Sequence, residues 1–473
     1  MRTPTTILLL SSLGRIALSA TVKRAEPDRS NVVTVSKITD PAQQCAPYWY
    51  PPSDNYSNKF PPTWTVASIV SGDTVAQNKW NSIKAKIPAI APKGVNGDFS
   101  SVNYDYGSDP DCWWTATQCV TSKRSGIPPD VAKIPEPLSA GYGFDDGPNC
   151  SHNALYDFLN QNNQKATVFY IGSNVINWPL QAQRALYDGH EICAHSWSHN
   201  AMTSLTSEQA FAEIWYTVRP VQAIKSVVGV TPTCWRPPYG DTDDRIRAIV
   251  NALGLTTVLW QYDSFDWMGG AQVDTNYGDF LTKARSGEFN RVGTIFLQHE
   301  NNEFGMSKIM QYYSDMKSVL KLVPVGVAMN KTRPYVETNI EFPTYNEYMS
   351  GTTMKPLPAS ALSFLGVPSS TASSTSATAS TSKASTTTTA TSGASVTGTG
   401  TSTSNASSSS ASGTKTGSGA STPTSSNTVT FPVLPANATK AQIQAYVQGM
   451  KTMFDSLLAS LNGLTRRAAE WMV

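Results

Sequence analysis

The chain has 473 residues, enough for about two or three domains, or for one α/β barrel of roughly 200–250 residues with additions. Its 36 basic and 34 acidic residues almost cancel, so charge gives no reason to expect a nucleic-acid partner. The 19 Tyr and 12 Trp are a heavier hint, since aromatic faces stack on sugar rings as well as filling cores.

The N-terminus begins Met1-Arg2-Thr3-Pro4, runs through the apolar stretch Ile7 to Leu10 and reaches small residues at Ala17, Ser19 and Ala20. Residues 1–20 therefore read as a secretory signal peptide, followed by a polar leader over 21–44. Six cysteines, an even number, suit the same oxidising compartment. Asn-x-Ser/Thr acceptors at Asn55, Asn149, Asn330, Asn405 and Asn437 agree with secretion to the extracellular space or the cell wall. Of the cysteine pairings, Cys112 with Cys119 would close a short loop.

Residues 45–135 are rich in Pro, Tyr, Trp, Asn and Asp and poor in long apolar runs. They read as an irregular extension that packs on the main domain. The clusters Tyr48-Trp49-Tyr50 and Trp113-Trp114 are expected to anchor it rather than to line a ligand groove. Over 136–345 the pattern changes to short apolar runs alternating with helical periods. Predicted strands are 137–144, 166–172, 190–195, 231–236, 256–262, 293–299 and 323–329. Between them, Ala154, Leu155, Phe158 and Leu159 share one helical face, and Phe211, Ile214, Trp215 and Val218 share another, with Thr206 and Gln209 as a capping box. Alternation of this kind implies parallel strands joined by right-handed crossovers. With about seven units the economical architecture is a deformed or incomplete (β/α) barrel.

Residues 346–436 include a Ser/Thr/Ala/Gly-dominated tract that cannot bury a core and reads as a disordered, O-glycosylated stalk. Within 437–473, Ile443, Tyr446, Val447, Met450, Phe454, Leu457, Leu458 and Leu461 fall on one face of an amphipathic helix. That face suits self-association or contact with a wall or membrane surface. Arg466, Arg467 and Glu470 interrupt the end of the chain, which does not read as a glycolipid-anchor signal.

Chemistry-bearing residues gather at the predicted strand ends. Asp145 and Asp146 follow the first strand; taken alone, Asp-Asp-Gly-Pro is also a good turn sequence. His195 and His199 have a spacing at which a single helical turn carries two imidazoles to one metal. Arg236-Pro237-Pro238-Tyr239-Gly240 is a stiff corner after the fourth strand, and Asp263-Ser264-Phe265-Asp266-Trp267 at the end of the fifth offers a carboxylate to Arg236 and an indole wall. An apolar strand delivers His299 to the same end.

In order, Phe144-Asp-Asp-Gly-Pro148, His195-Ser-x-Ser-His199, Arg236-Pro-Pro-Tyr-Gly240, Asp263-x-x-Asp-Trp267 and Ile295-x-Leu-x-His299 resemble the five motifs of the polysaccharide deacetylase (NodB homology) family of carbohydrate esterases. The extension and stalk resemble those of the fungal chitin-directed members. The resemblance implies metal-dependent N-deacetylation of chitin or chitin oligosaccharides. Acetylated xylan or peptidoglycan, and a non-catalytic wall-binding glycoprotein, are the alternatives. It further implies that Asp146, His195 and His199 hold a divalent metal, zinc or else cobalt. Asp145 would be the general base, and His299 the acid that protonates the leaving amine. The Tyr239 N–H would stabilise the oxyanion, and Trp267 and Leu297 would line the pocket. Arg236 would tune the base and be held in turn by Asp266.

Overall fold

The computed structural model describes residues 26–51, 59–218 and 223–354. The predicted signal peptide, the Ser/Thr-rich stalk from residue 355 on and the C-terminal amphipathic helix lie outside the described residues. The start predicted for the stalk, 346–354, is instead folded: Tyr345–Met349 is a helix with a Thr344/Glu347 capping box, and Met354 is buried.

Every ladder between the named strands is parallel. The strands are β1 (Ser139–Gly141), β2 (Gly143–Gly147), β3 (Thr167–Tyr170), β4 (Glu191–Ala194), β5 (Cys234–Trp235), β6 (Thr256–Thr257), β7 (Tyr262–Asp263), β8 (Thr294–Leu297) and β9 (Lys321–Val323). One sheet runs β7-β8-β1-β9 and the other β2-β3-β4-β5-β6. β1 continues into β2 through Tyr142, Asp145 of β2 bridges in parallel to His299 just past β8, and β6 leads on to β7, so the two sheets join into a deformed barrel. Burial on both faces explains why β3 is a continuous apolar and β-branched run, Thr-Val-Phe-Tyr, rather than an alternating one. Helices such as Asn153–Gln161, Ser207–Val218 and Glu303–Val319 make the crossovers. The predicted capping box is present: Gln209 N–H donates to Thr206 Oγ1, and Thr206 N–H to Gln209 Oε1.

Four predicted strands differ in extent. The first, 137–144, is found as β1 and β2, and the fifth, 256–262, as β6 and the start of β7. The seventh is found at Lys321–Val323, and Val325–Ala328 is a short helix. Pro324 between them has no N–H for a ladder and suits the start of a helix. The fourth shrinks to Cys234–Trp235. Thr233 N–H donates to Pro334 O, and Pro232 bridges antiparallel to Tyr335, so a later segment takes the start of that run.

The extension is bound to the barrel covalently and by hydrogen bonds. Cys45 is bridged to Cys150 just after β2, and Cys112 to Cys119, as the short loop suggested; Cys193 and Cys234 link β4 to β5. Val131 N–H donates to Thr257 O, Leu259 N–H to Val131 O and Gly293 N–H to Ile134 O, so residues 131–134 act as one more stave beside β6 and β8. Tyr50, Trp113 and Trp114 are buried, and Trp113 Nε1 donates to Asp241.

Gly143 sits where β2 and β3 approach most closely: a Cβ there would overlap the Thr167 carbonyl oxygen. Replacing Gly by Ala stiffens the unfolded chain and so favours folding by about 0.4–1 kcal/mol, but a clash with backbone costs about 1–3 kcal/mol. Gly143→Ala should therefore lower the urea midpoint of the disulfide-intact protein. An unchanged or raised midpoint would show that this pairing tolerates a side chain.

Candidate active site

The site is assembled at the carboxyl ends of the barrel strands. At the end of β2, Asp145 is clamped by its backbone: its N–H donates to Gln298 O, and its carbonyl accepts from Glu300 N–H. Asp146 follows in the left-handed region at φ 70°. Gly147 comes next with no room for a side chain, since a Cβ would overlap the Glu300 carboxylate. The two neighbouring acids are thereby turned to different partners.

Asp146 Oδ1 lies 3.2 Å from His195 Nε2 and 3.0 Å from His199 Nε2. His195 Nδ1 is 2.8 Å from the Arg236 carbonyl oxygen, which can only accept, so the ring proton sits on Nδ1 and Nε2 presents a lone pair. Asp146 Oδ1 is buried and makes no hydrogen bond. Electron-pair donors facing one another at such distances are reconciled by a shared cation, and two imidazoles with one carboxylate are an ordinary donor set for zinc. Burial would raise the Asp146 pKa, but His199, His195 and His299 around it bring it well below the usual carboxylate range.

His199 is not delivered by a helical turn. The His195–His199 stretch is a loop with Ser196 at φ 61° and His199 at φ 57°. Glu213, from helix Ser207–Val218, holds it: its carboxylate accepts from Trp197 N–H at 2.9 Å, Ser198 N–H at 2.8 Å and Ser198 Oγ at 2.6 Å. The His199 ring packs edge-on against Tyr239, with centroids 4.7 Å apart.

The other acid faces a cation. Arg236 Nη1 donates to Asp145 Oδ1 at 2.6 Å, and its guanidinium lies 3.9 Å over the Phe169 ring, fully buried. Asp266 does not hold Arg236, and the described bonds of Arg236 go to Asp145 and Val258 O rather than to Asp263. Instead, Asp266 accepts from His299 N–H at 3.0 Å and pairs with His299 Nδ1 at 2.6 Å. Phe265 is left-handed at φ 53°, and the 3-10 turn Asp266–Met268 leaves Asp266 fully buried beside His299. Burial would lower the His299 pKa, but Asp266 outweighs it and raises the ring to about 10. Asp263 accepts from Phe265 N–H and is raised by burial to about 6.

Tyr239, at φ 59°, and Trp267 are 62 % and 39 % exposed, whereas Leu297 is only 3 % exposed within β8. Beside Asp146 and His199 opens a cleft of about 300 Å³ bordered also by Trp64, Asn149, Asn174, Trp178 and Asn301. Several of these contributors are not apparent from sequence. Asn301 donates to Asp146 Oδ2 at 3.0 Å and Asn174 to Asp146 O at 2.8 Å. Asn301 lies two residues past a strand-end histidine, a position that could have drawn notice. Glu213 had one signal, a lone acid in the apolar run Phe211 to Val218; Asn174 had none.

Residues 135–258 match the polysaccharide deacetylase family model. Asp266 and His299 lie beyond that match. The chain is 46 % identical over 344 residues to chitin deacetylase 2 of Cryptococcus neoformans var. grubii, covering 70 % of this chain and 74 % of the relative. It is 40 % identical over 311 residues to the chitin deacetylase of Amylomyces rouxii, covering 63 % and 73 %. The structure of the chitin deacetylase from Colletotrichum lindemuthianum aligns with a TM-score of 0.39 at 22 % identity, over 42 % of this chain and 90 % of that one. With nearly three quarters of an enzyme's length matched at 46 % identity, and the family model lying over the strands that carry Asp146, His195 and His199, this chain belongs to the polysaccharide deacetylase family.

Proposed function

We propose that this protein is a secreted, metal-dependent deacetylase that hydrolyses the N-acetyl groups of chitin to give chitosan and acetate. The observation that carries the proposal is the convergence of Asp146, His195 and His199 within 4.8 Å of one another, between an Arg236–Asp145 pair and an Asp266–His299 pair. The curated relatives that act on chitin support the choice of substrate, and the disulfides suit an extracellular or cell-wall location. The C-terminal region would add wall or membrane-surface association.

An amide resists hydrolysis because its amine leaves poorly, so a base for water and an acid for nitrogen are both needed. A divalent metal, zinc in the first instance, held by Asp146, His195 and His199, would polarise the acetamide carbonyl and make water more acidic. Asp145 accepts the proton of the attacking water, oriented by Arg236. As the carbonyl carbon becomes tetrahedral, the Tyr239 backbone N–H donates to the developing oxyanion. His299, kept protonated by Asp266, gives its proton to the nitrogen as the C–N bond breaks, releasing acetate and the free amine. Trp267 and Leu297 would border the sugar and the acetyl methyl.

Acetate release from chitin oligomers should require metal, stop on chelation and fall by about 10²–10⁴-fold in Asp145→Asn; metal-loaded wild type that binds chitin without releasing acetate would overturn the reading. His199→Ala should purify with well below the wild-type metal content by elemental analysis, and full stoichiometry would remove His199 from the ligand set. An acid must be protonated to act, so activity should decline as pH rises through the His299 pKa. Asp266→Asn removes the charge that raises that pKa, and the alkaline limb of the rate profile should move down by about one unit or more. An equal loss at every pH would mean that Asp266 does not act through His299.

A further inference from the structure

The extension contributes one large residue to the cleft, and it is held there from several directions. Residues 60–67 are mounted on the loop that carries the two histidines. Phe60 stacks on Trp197 with centroids 5.6 Å apart, Trp197 Nε1 donates to Pro62 O at 3.1 Å, and Ala67 N–H donates at 2.8 Å to Glu213, the carboxylate that holds that loop. Between these contacts Trp64 N–H donates to the buried Ser173 Oγ at 2.9 Å, and Ser173 is itself bonded to Trp197 O. Trp64 is left-handed at φ 59°, a conformation unfavourable for a bulky residue by about 1–2 kcal/mol. Such a backbone persists only when its surroundings over-determine it. The indole it carries is not used to fill the core: Trp64 is 51 % exposed and borders the same cleft as Asp146 and His199.

Trp178, partly buried against Tyr48, borders the cleft as well. Asn149 spends its side-chain oxygen on Ser151, and Asn174 spends its amide on Asp146 O. Among the described residues this leaves an NH₂ on the first and a carbonyl oxygen on the second for another partner. Aromatic faces with a few amide groups are what a pyranose ring recognises: its C–H face lies on the indole, and its hydroxyl and acetamido groups take the polar atoms.

Building on the deacetylase reading, we infer that Trp64 and Trp178 form a sugar subsite beside the reacting centre, which holds a second ring of the polysaccharide and makes affinity depend on chain length. The subsite is supplied by the N-terminal extension together with the loop after β3. Asn149 lies inside it, so a glycan on that residue would compete with the substrate.

The test compares the zinc-loaded full chain with Trp64→Gly, which suits the left-handed backbone, and with Trp64→Phe, on N-acetylglucosamine oligomers of one to five units. In wild type KM should fall with length. Trp64→Gly should flatten that dependence, raising KM for the pentamer about tenfold, or about 1.4 kcal/mol, with kcat within about twofold; Trp64→Phe should restore most of it. An unaltered length dependence in Trp64→Gly, or a kcat loss shared by all lengths, would overturn the subsite. Calorimetric titration with the pentamer separates the two readings. If wild type releases no acetate, the deacetylase reading fails, while the subsite still stands on weaker pentamer binding to Trp64→Gly and falls on equal binding.

Discussion

The backbone clamp on Asp145 is the constraint on which the site depends. Its N–H is given to Gln298 and its carbonyl to Glu300, so the end of β2 is sewn to the chain just beyond β8. Neither peptide group is free to rotate, and the side chain is therefore aimed rather than merely present. With Asp146 left-handed and Gly147 closed in by Glu300, two adjacent carboxylates become two separate tools. One meets an arginine, with His195 Nε2 3.7 Å from its other oxygen, and the second meets both imidazoles more closely.

Charge is buried here in a manner that stability alone does not explain. Arg236 with Asp145, and His299 with Asp266, are nearly withdrawn from water. Removing charges from water costs several kcal/mol per ion, and the attraction recovered in a pair roughly cancels that cost, so well-packed apolar residues would serve the fold as well. What the pairs provide is direction and protonation state. Asp266 overcomes the burial that would discharge His299, and Arg236 fixes the Asp145 carboxylate with its guanidinium while its carbonyl oxygen orients His195. The same logic explains Glu213, a buried acid satisfied by three N–H groups and a hydroxyl, which holds a loop that no helix or strand would hold.

The extension belongs to this machinery as much as to the fold. It enters the barrel wall at residues 131–134, is tied by Cys45–Cys150 next to the opening motif, and braces the histidine loop through Phe60, Pro62 and Ala67. An irregular segment can do this because its backbone groups are satisfied by the domain it covers instead of by its own ladders.

Much of the candidate site was legible in the sequence because its residues fall at strand ends, and strand ends are where short apolar runs meet acids, histidines and proline corners. The order of the parallel units, the pairing of Asp145 with Asp146 and the spacing of His195 and His199 are local properties of the chain, and local patterns report them. Tertiary structure alone decided who faces whom. Asp266 turned to His299 and not to Arg236 because a left-handed Phe265 redirects it, and φ at a non-glycine residue is imposed by packing. The loop under His199, the amides of Asn174 and Asn301 on Asp146, and the exposed Trp64 beside them come from positions remote in the chain or unmarked by any period. The sequence determined which groups the site contains; long-range contacts, which no local spacing encodes, set their partners and their protonation.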